Sequence, residues 1–197
     1  GLIEILMETK DCNIGRLYRY ITLLLGMKPN EHEAKVMGLS SYSVPYYTKT
    51  TYEIFAQTLK NDGIGFKYNE HPKDHYFWFK KKLEGKRFDA IAGGLNKYVE
   101  DLICKWVKNA IAKTGIKDVV FTGGVGMNIK AMQRLTEIDC LQSLHVGPTV
   151  SDDTIAVGVC YQSAIVEKLI DVEKLVSIDG PYPVSYTHLR AHETDSY

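Results

Sequence analysis

Three short stretches of this 197-residue chain carry residue types that can do chemistry. The first is Thr122-Gly123-Gly124-Val125-Gly126-Met127-Asn128, between a short apolar run and a helical pattern. A strand that feeds a glycine turn at the start of a helix can hold an anion. Main-chain N–H groups point outward, and missing side chains let a phosphate or ribose approach. The spacing is neither G-x-G-x-x-G nor G-x-x-x-x-G-K-[ST], so it specifies neither a Rossmann dinucleotide site nor a P-loop. By itself it suits a ligand cradle and a plain strand–helix turn equally well. The second stretch is Pro148-Thr149-Val150-Ser151-Asp152-Asp153-Thr154. Adjacent carboxylates just after a strand can bind a metal or orient a nucleophile. They also suit the first turn of a helix, where the dipole favours acids, and that plainer role is the stronger one on spacing alone. The third stretch runs from Asn30 to Leu39. Its Lys35, three residues before Gly38, can reach a phosphate or simply face solvent.

Two histidine pairs have the i, i+4 spacing that lets imidazoles share a metal on a helix. His71 and His75 flank Pro72 in loop-like surroundings. His188 and His192 lie near the chain end. Neither pair is expected to be a metal site. His145 is expected to be an ordinary strand residue, and Tyr76-Phe77-Trp78-Phe79 to be core.

Several elements must position these stretches. Residues 13–27 carry Ile14, Leu17, Tyr18, Ile21, Leu24 and Leu25 at helical spacing, with Gly26 placed as a stop. Residues 31–37 read as a short polar helix closed by Gly38. Residues 41–52, rich in Ser, Tyr and Thr around Pro45, read as loop. Residues 53–60 read as a short helix, and one or two short strands are expected within 61–78. The strongest pattern is 89–113, where apolar steps of three and four run from Ile91 to Ile111 and Thr114-Gly115 supplies the stop. Gly93 and Gly94 weaken that helix by roughly 1 kcal/mol each against Ala, so they point to close approach of another backbone or a ligand. Residues 118–122 form an apolar strand of the kind expected in a covered sheet. A helix over 127–138 should bury Ile129, Met132 and Leu135. A strand over 144–146 follows, then a helix over 151–169 capped by Ser151. Helix, strand, glycine turn, helix, strand and helix make an α/β pattern.

Charge and composition narrow the class. Lys plus Arg is 24 and Asp plus Glu is 24, a formal net charge of zero. Nucleic acid and anionic membranes select a basic excess, so neither is expected as the partner. Apolar residues make up 45%, which excludes disorder for the bulk. The longest apolar run, Ile21–Met27, is broken by Gly26 and is too short for a membrane span. Cys12, Cys104, Cys140 and Cys160 have no C-x-x-C spacing and read as buried, reduced thiols of a cytoplasmic protein. The chain starts at Gly1 in an apolar stretch. Val184–Thr194 resembles one reading frame of a transposase-type sequencing-library adapter. The expected organisation is a partial domain over 1–170, a linker or truncated continuation over 171–183, and an adapter-derived tail over 184–197.

Taken together, the motifs resemble one family. Asn13-Ile14-Gly15-Arg16-Leu17-Tyr18, Thr22, Leu25-Gly26 and Glu33-Ala34-Lys35-Val36-Met37-Gly38-Leu39 resemble a passage of O-carbamoyltransferases of the nodulation-factor and cephalosporin type. Phe121–Ala131 resembles their G-G-V-A-x-N-x-K turn, and Val146–Gly158 their P…G-D-x-x-x-A-x-G segment. The resemblance covers about 13–165, with 45–85 poorly matched. It implies the second half of an actin-like ATPase/sugar-kinase (ribonuclease H-like) domain. It also implies a partner domain, carboxy-terminal in the family, that makes carbamoyl-adenylate from carbamoyl phosphate and ATP. The carbamoyl group then passes to a hydroxyl of a small-molecule or sugar acceptor. The resemblance further implies a divalent metal, iron or zinc, held by an upstream H-x-x-x-H pair and a downstream aspartate. Carried over by position, Asp152 is that aspartate and a catalytic residue. Gly123, Gly124, Val125 and Asn128 line the nucleotide, and Lys35 with Gly38 approach its phosphates.

This chain departs from the family at three places. Gly126 stands for alanine, Ser40-Ser41-Tyr42-Ser43 replaces an A-P-Y-G loop, and Ser151 replaces glycine. With one metal ligand of three, the polypeptide is expected to be inactive alone. Three rivals remain. One is a tRNA threonylcarbamoylation protein of the same superfamily, which the E-x-K-V-M-G-L run disfavours. Another is a sugar or acetate kinase. The third is a non-catalytic nucleotide-binding module.

Overall fold

The computed structural model describes residues 4–147, 150 and 154–169. Their order is α1 (Ile14–Leu24), α2 (Glu33–Leu39), a 3-10 turn (Ser40–Tyr42), α3 (Pro45–Ala56), β1 (Leu59–Asp62), β2 (Gly65–Tyr68), α4 (His75–Lys82) and α5 (Phe88–Thr114). Then come β3 (Asp118–Phe121), a second 3-10 turn (Gly124–Met127), α6 (Ile129–Thr136), β4 (Ser143–Val146) and α7 (Thr154–Val166). The α/β class expected from the pattern is what forms. The chain divides into two compact units. One holds the described residues up to Val119 together with Asn128–His145. The other holds Val120–Met127 and the described residues from Val146 onward.

In the larger unit, α5 is the central element. Its 27 residues give a length of roughly 40 Å at 1.5 Å per residue. It packs against α1, α2, α3, α6 and β1. Leu95, Val99 and Ile103 of α5 are fully buried, as are Leu17, Ile21, Val36, Phe55, Phe79 and Leu135. Gly115 ends α5 in the left-handed conformation, φ +74°, as its position predicted. Gly93 and Gly94 are where α3 crosses. A Cβ on Gly94 would lie 2.7 Å from Tyr52 N and 2.8 Å from Thr51 Cβ, and one on Gly93 would lie 2.5 Å from Ser43 Cβ. The close approach expected of these glycines is therefore made by the chain itself. Thr51 Oγ1 completes the crossing by donating to Ala90 O at 2.6 Å.

The β1–β2 hairpin pairs Leu59 with Tyr68 and Asp62 with Gly65. Its turn is docked on α5 by Trp106 Nε1 donating to Ile64 O (2.7 Å) and Asn109 Nδ2 donating to Gly63 O (2.6 Å). β3 pairs with β4.

Several expectations are corrected. Residues 41–52 are not loop. Pro45 occupies the first turn of α3, where its missing N–H costs nothing, and packing on the α5 glycines overrides the weak propensity of Thr and Tyr. Gly38 does not close α2 but lies within it. β3 is not covered, since Val120 is 70% exposed. The face of α6 that is buried carries Ala131, Met132 and Leu135, while Ile129 is 68% exposed. Asn128 caps that helix, and because each step of three falls about 60° short of a full turn, Ile129 lies well round from the face centred on Leu135. Of the aromatic run 76–79 only Phe79 is core. Phe77 is exposed and Trp78 carries Lys82 over its ring. Cys12 and Cys160 are exposed and Cys104 and Cys140 half-buried, all four free. Ser151, the expected cap of α7, lies outside the described residues.

Candidate functional site

Residues of two motif segments, Tyr18 and Asn128, meet with two of α5 in a buried polar cluster of the larger unit. Tyr18 of α1, Asn96 and Glu100 of α5, and Asn128 at the start of α6 are all nearly inaccessible, Asn128 to 2%. Burying such groups is tolerated only when every donor and acceptor is paired. Tyr18 Oη donates to Asn96 Oδ1 (2.9 Å) and accepts from Asn128 Nδ2 (2.9 Å). Asn128 Nδ2 also reaches Asn96 Oδ1 at 3.1 Å, and Asn96 Nδ2 donates to Glu100 Oε1 at 2.6 Å. Asn128 Oδ1 accepts from Ala131 N (3.1 Å), which satisfies an otherwise orphaned donor of α6.

The cluster continues outward as an ion network. The guanidinium of Arg134 donates to Glu100 Oε2 (3.2 Å) and Asp101 Oδ1 (2.6 Å), and Lys97 Nζ pairs with Asp101 at 3.1 Å. Burial pushes the Tyr18 hydroxyl well above the usual phenol range, and the Glu100 charge adds to it against the hydrogen bond from Asn128. Tyr18 is thus a neutral hydrogen-bond relay. Burial pulls Arg134 down, but the hydrogen bond and charge of Asp101 hold it above its ordinary value.

Above this floor lies an open cleft of about 620 Å³. Ser40 and Ser43, Thr48 and Lys49 of α3, Lys97 of α5 and Lys130 of α6 line it, together with Glu100 and Asp101. Lys130 Nζ donates to Ser40 Oγ at 3.2 Å.

The sequence-derived candidates fall in different places. Asn128 is in the buried cluster of the larger unit, with both side-chain ends engaged. Lys35 and Gly38 lie on the exposed side of α2, and a Cβ on Gly38 would meet nothing within 4 Å. Gly123, Gly124 and Val125 belong to the smaller unit. Gly123 has φ +94°, and neither it nor Gly124 has an atom within 4 Å of a built Cβ. A Cβ on Gly126 would instead lie 3.3 Å from Phe121 and 3.4 Å from Val150, and the Gly126 N–H donates to Gly123 O at 2.7 Å. The turn is therefore open to a ligand at its first two glycines and closed at the third. Asp152 lies outside the described residues, as do His188 and His192.

His71 and His75 do come together, with ring centroids 5.6 Å apart, but among Tyr20, Tyr68 and Phe79. Among the described residues no group of three or more His, Cys, Asp or Glu side chains could hold a metal.

Reading the sequence missed Asn96, Glu100, Asp101, Lys130 and Arg134. A signal was present. Gly93, Asn96 and Glu100 recur at steps of three and four on a helix that is otherwise apolar on its inner faces, which marks a polar seam.

Residues 2–161 match the family model described as carbamoyltransferase N-terminus. The chain is 29% identical over 164 residues to an uncharacterised protein of Methanocaldococcus jannaschii. That alignment takes in 81% of this chain and 31% of the relative, so the chain spans about a third of the relative's length.

Proposed function

The chain belongs to the carbamoyltransferase N-terminus family, and from that premise we propose that it is part of an ATP-dependent O-carbamoyltransferase with the actin-like ATPase/sugar-kinase fold. The reaction moves a carbamoyl group from carbamoyl phosphate, by way of carbamoyl-adenylate, to a hydroxyl of a small-molecule or sugar acceptor. One observation supports this reading above others. Two segments far apart in sequence that carry the resemblance, at Tyr18 and Asn128, meet through Asn96 of α5.

The turn fits a nucleotide. Gly123 and Gly124 leave open the space that side chains would fill, and their main chain can approach a phosphate or ribose. When bound, the adenylate supplies a good leaving group for the carbamoyl carbon. Asn128, at the end of this stretch, is proposed to line the nucleotide with Gly123, Gly124 and Val125, its Nδ2 being committed to Tyr18 and Asn96. Lys35 offers a mobile cation from α2, next to the open backbone of Gly38. Asp152 is the carboxylate this chain is proposed to give to a divalent cation, iron or zinc, which would stabilise charge developing on the carbonyl or phosphoryl oxygen.

The test is nucleotide binding by the purified chain, read by anisotropy of a fluorescent ATP analogue. Gly124→Val should weaken binding at least tenfold while the far-ultraviolet circular dichroism stays unchanged. Equal binding by the variant, or none by the parent chain, would remove the nucleotide from this turn. Asp152→Asn should lower iron or zinc uptake, measured by equilibrium dialysis, without moving the ATP affinity.

A further inference from the structure

We propose that the cleft of the larger unit binds a neutral polyhydroxylated ligand of the saccharide class, which donates to Thr48 and Tyr52 of α3 and accepts from Lys130 of α6. The protons and lone pairs of the lining carry this. Its hydroxyl protons are committed within the protein. Ser43 Oγ donates to Ser40 O at 2.7 Å and Thr48 Oγ1 to Val44 O at 3.0 Å, and the Tyr52 hydroxyl donates to Asp101. Among the described residues no group donates to these three oxygens, so they can accept from a ligand. A carboxylate has about four acceptor sites. Glu100 receives Asn96 and Arg134, and Asp101 receives Arg134, Lys97 and Tyr52, which leaves room on each. The faces of α3 and α5 therefore present acceptors. Donors come from ammonium groups. Lys130 has three protons and spends one on Ser40, and Lys49 is an exposed member of the lining.

This mixture disfavours the simpler ligands. A fully ionised oxyanion would set its lone pairs against those of Thr48 and Tyr52. An amine would meet Lys49, Lys97 and Lys130, with Arg134 behind them, against only Glu100 and Asp101. An apolar ligand would strip water from the free acceptors and return no hydrogen bond. A hydroxyl both donates and accepts, so a ring that carries several satisfies α3, α5 and Lys130 together. Pro45 and the Tyr52 ring add apolar surface for its C–H faces, and the volume of about 620 Å³ is that of a small-molecule site. In the reaction proposed above this ligand would be the hydroxylated acceptor. That role rests on the carbamoyl-transfer reading, whereas the binding does not.

The ¹⁵N-labelled full chain is titrated, without nucleotide and at constant ionic strength, with methyl α-D-glucopyranoside, with its fully O-methylated analogue and with sodium sulfate. The glucoside should give saturable shifts at the amides of Ser43, Thr48, Tyr52 and Lys130. The O-methylated analogue accepts but cannot donate, and it should bind at least tenfold more weakly. Sulfate should give no saturable shift at these amides. Thr48→Val and Tyr52→Phe each remove one acceptor and keep the shape, and each should weaken glucoside binding severalfold, as should Lys130→Met. The analogue and sulfate titrations use the parent chain and do not depend on any variant folding. ATP binding is read in a separate sample, so either reading can fail alone. Glucoside shifts that do not saturate, equal affinity for the O-methylated analogue, saturable sulfate binding at these amides, or glucoside affinity unaltered in all three variants would each overturn the proposal.

Discussion

Asn128 is a motif residue with a structural task. Its oxygen caps α6 and its nitrogen ties Tyr18 to Asn96. Replacing it by Ala removes a helix cap, worth roughly 0.5–2 kcal/mol, and leaves a buried tyrosine and asparagine short of a partner, at about 1–3 kcal/mol. Asn128→Ala should therefore lower the stability of the chain by about 2–4 kcal/mol in urea denaturation. Asn128→Asp keeps the cap but loses the donor, and should fall between the two. If Asn128→Ala unfolds like the parent chain, the buried network is not a structural device. His75 is a second instructive residue. Burial lowers its pKa and the neighbouring His71 adds to this, while Asp74 opposes it. A base whose folded pKa is depressed binds its proton more readily when unfolded. Stability is then intact above the unfolded value of about 6.5 and is lost as pH falls through it toward the folded pKa. His75→Phe, which keeps a ring against Tyr20 and Tyr68, should flatten the melting temperature between about pH 7 and pH 5. An unchanged acid slope would place the sensitivity elsewhere.

At the scale of elements, the α3–α5 crossing is the feature that builds the cleft. α3 can lie this close only because Gly93 and Gly94 present bare backbone. A methyl group at Gly94 would meet Thr51 and Tyr52 and force the helices apart, for which roughly 1–3 kcal/mol is typical. Better helix propensity returns about 1 kcal/mol of this. Gly94→Ala should thus be destabilising, by up to about 2 kcal/mol. Gly38→Ala in α2 meets nothing within 4 Å and should stabilise by up to about 1 kcal/mol. Differential scanning calorimetry of the two variants reads both signs, and parallel effects would refute the close-approach account.

For the whole molecule, a formal charge of zero means that any affinity for phosphate must come from local arrangement. The chain should not retard duplex DNA in a gel at physiological salt. Retardation would show a basic face that the composition does not suggest. The chain spans about a third of the length of its relative, and it is proposed to give one metal ligand. Purified alone, it should transfer no labelled carbamoyl group from carbamoyl-adenylate to added sugars. Turnover would show that its own residues complete the reaction centre.

Periodicity alone placed α1, α5 and the two short strands around the glycine turn, because long amphipathic patterns and left-handed glycines are local properties. The α/β class and the importance of Gly93, Gly94 and Asn128 were legible for the same reason. The identity of what lies against those glycines was not, since Ser43 and Thr51 come from a segment whose own propensity reads as loop. Nor was the polar floor, because Tyr18, Asn96, Asn128 and Arg134 are unremarkable one at a time. Their meaning arises when burial removes water and each must find its partner in another element. Pairing of that kind depends on packing across more than a hundred residues of chain, as between Tyr18 and Asn128, and only the tertiary structure decides it.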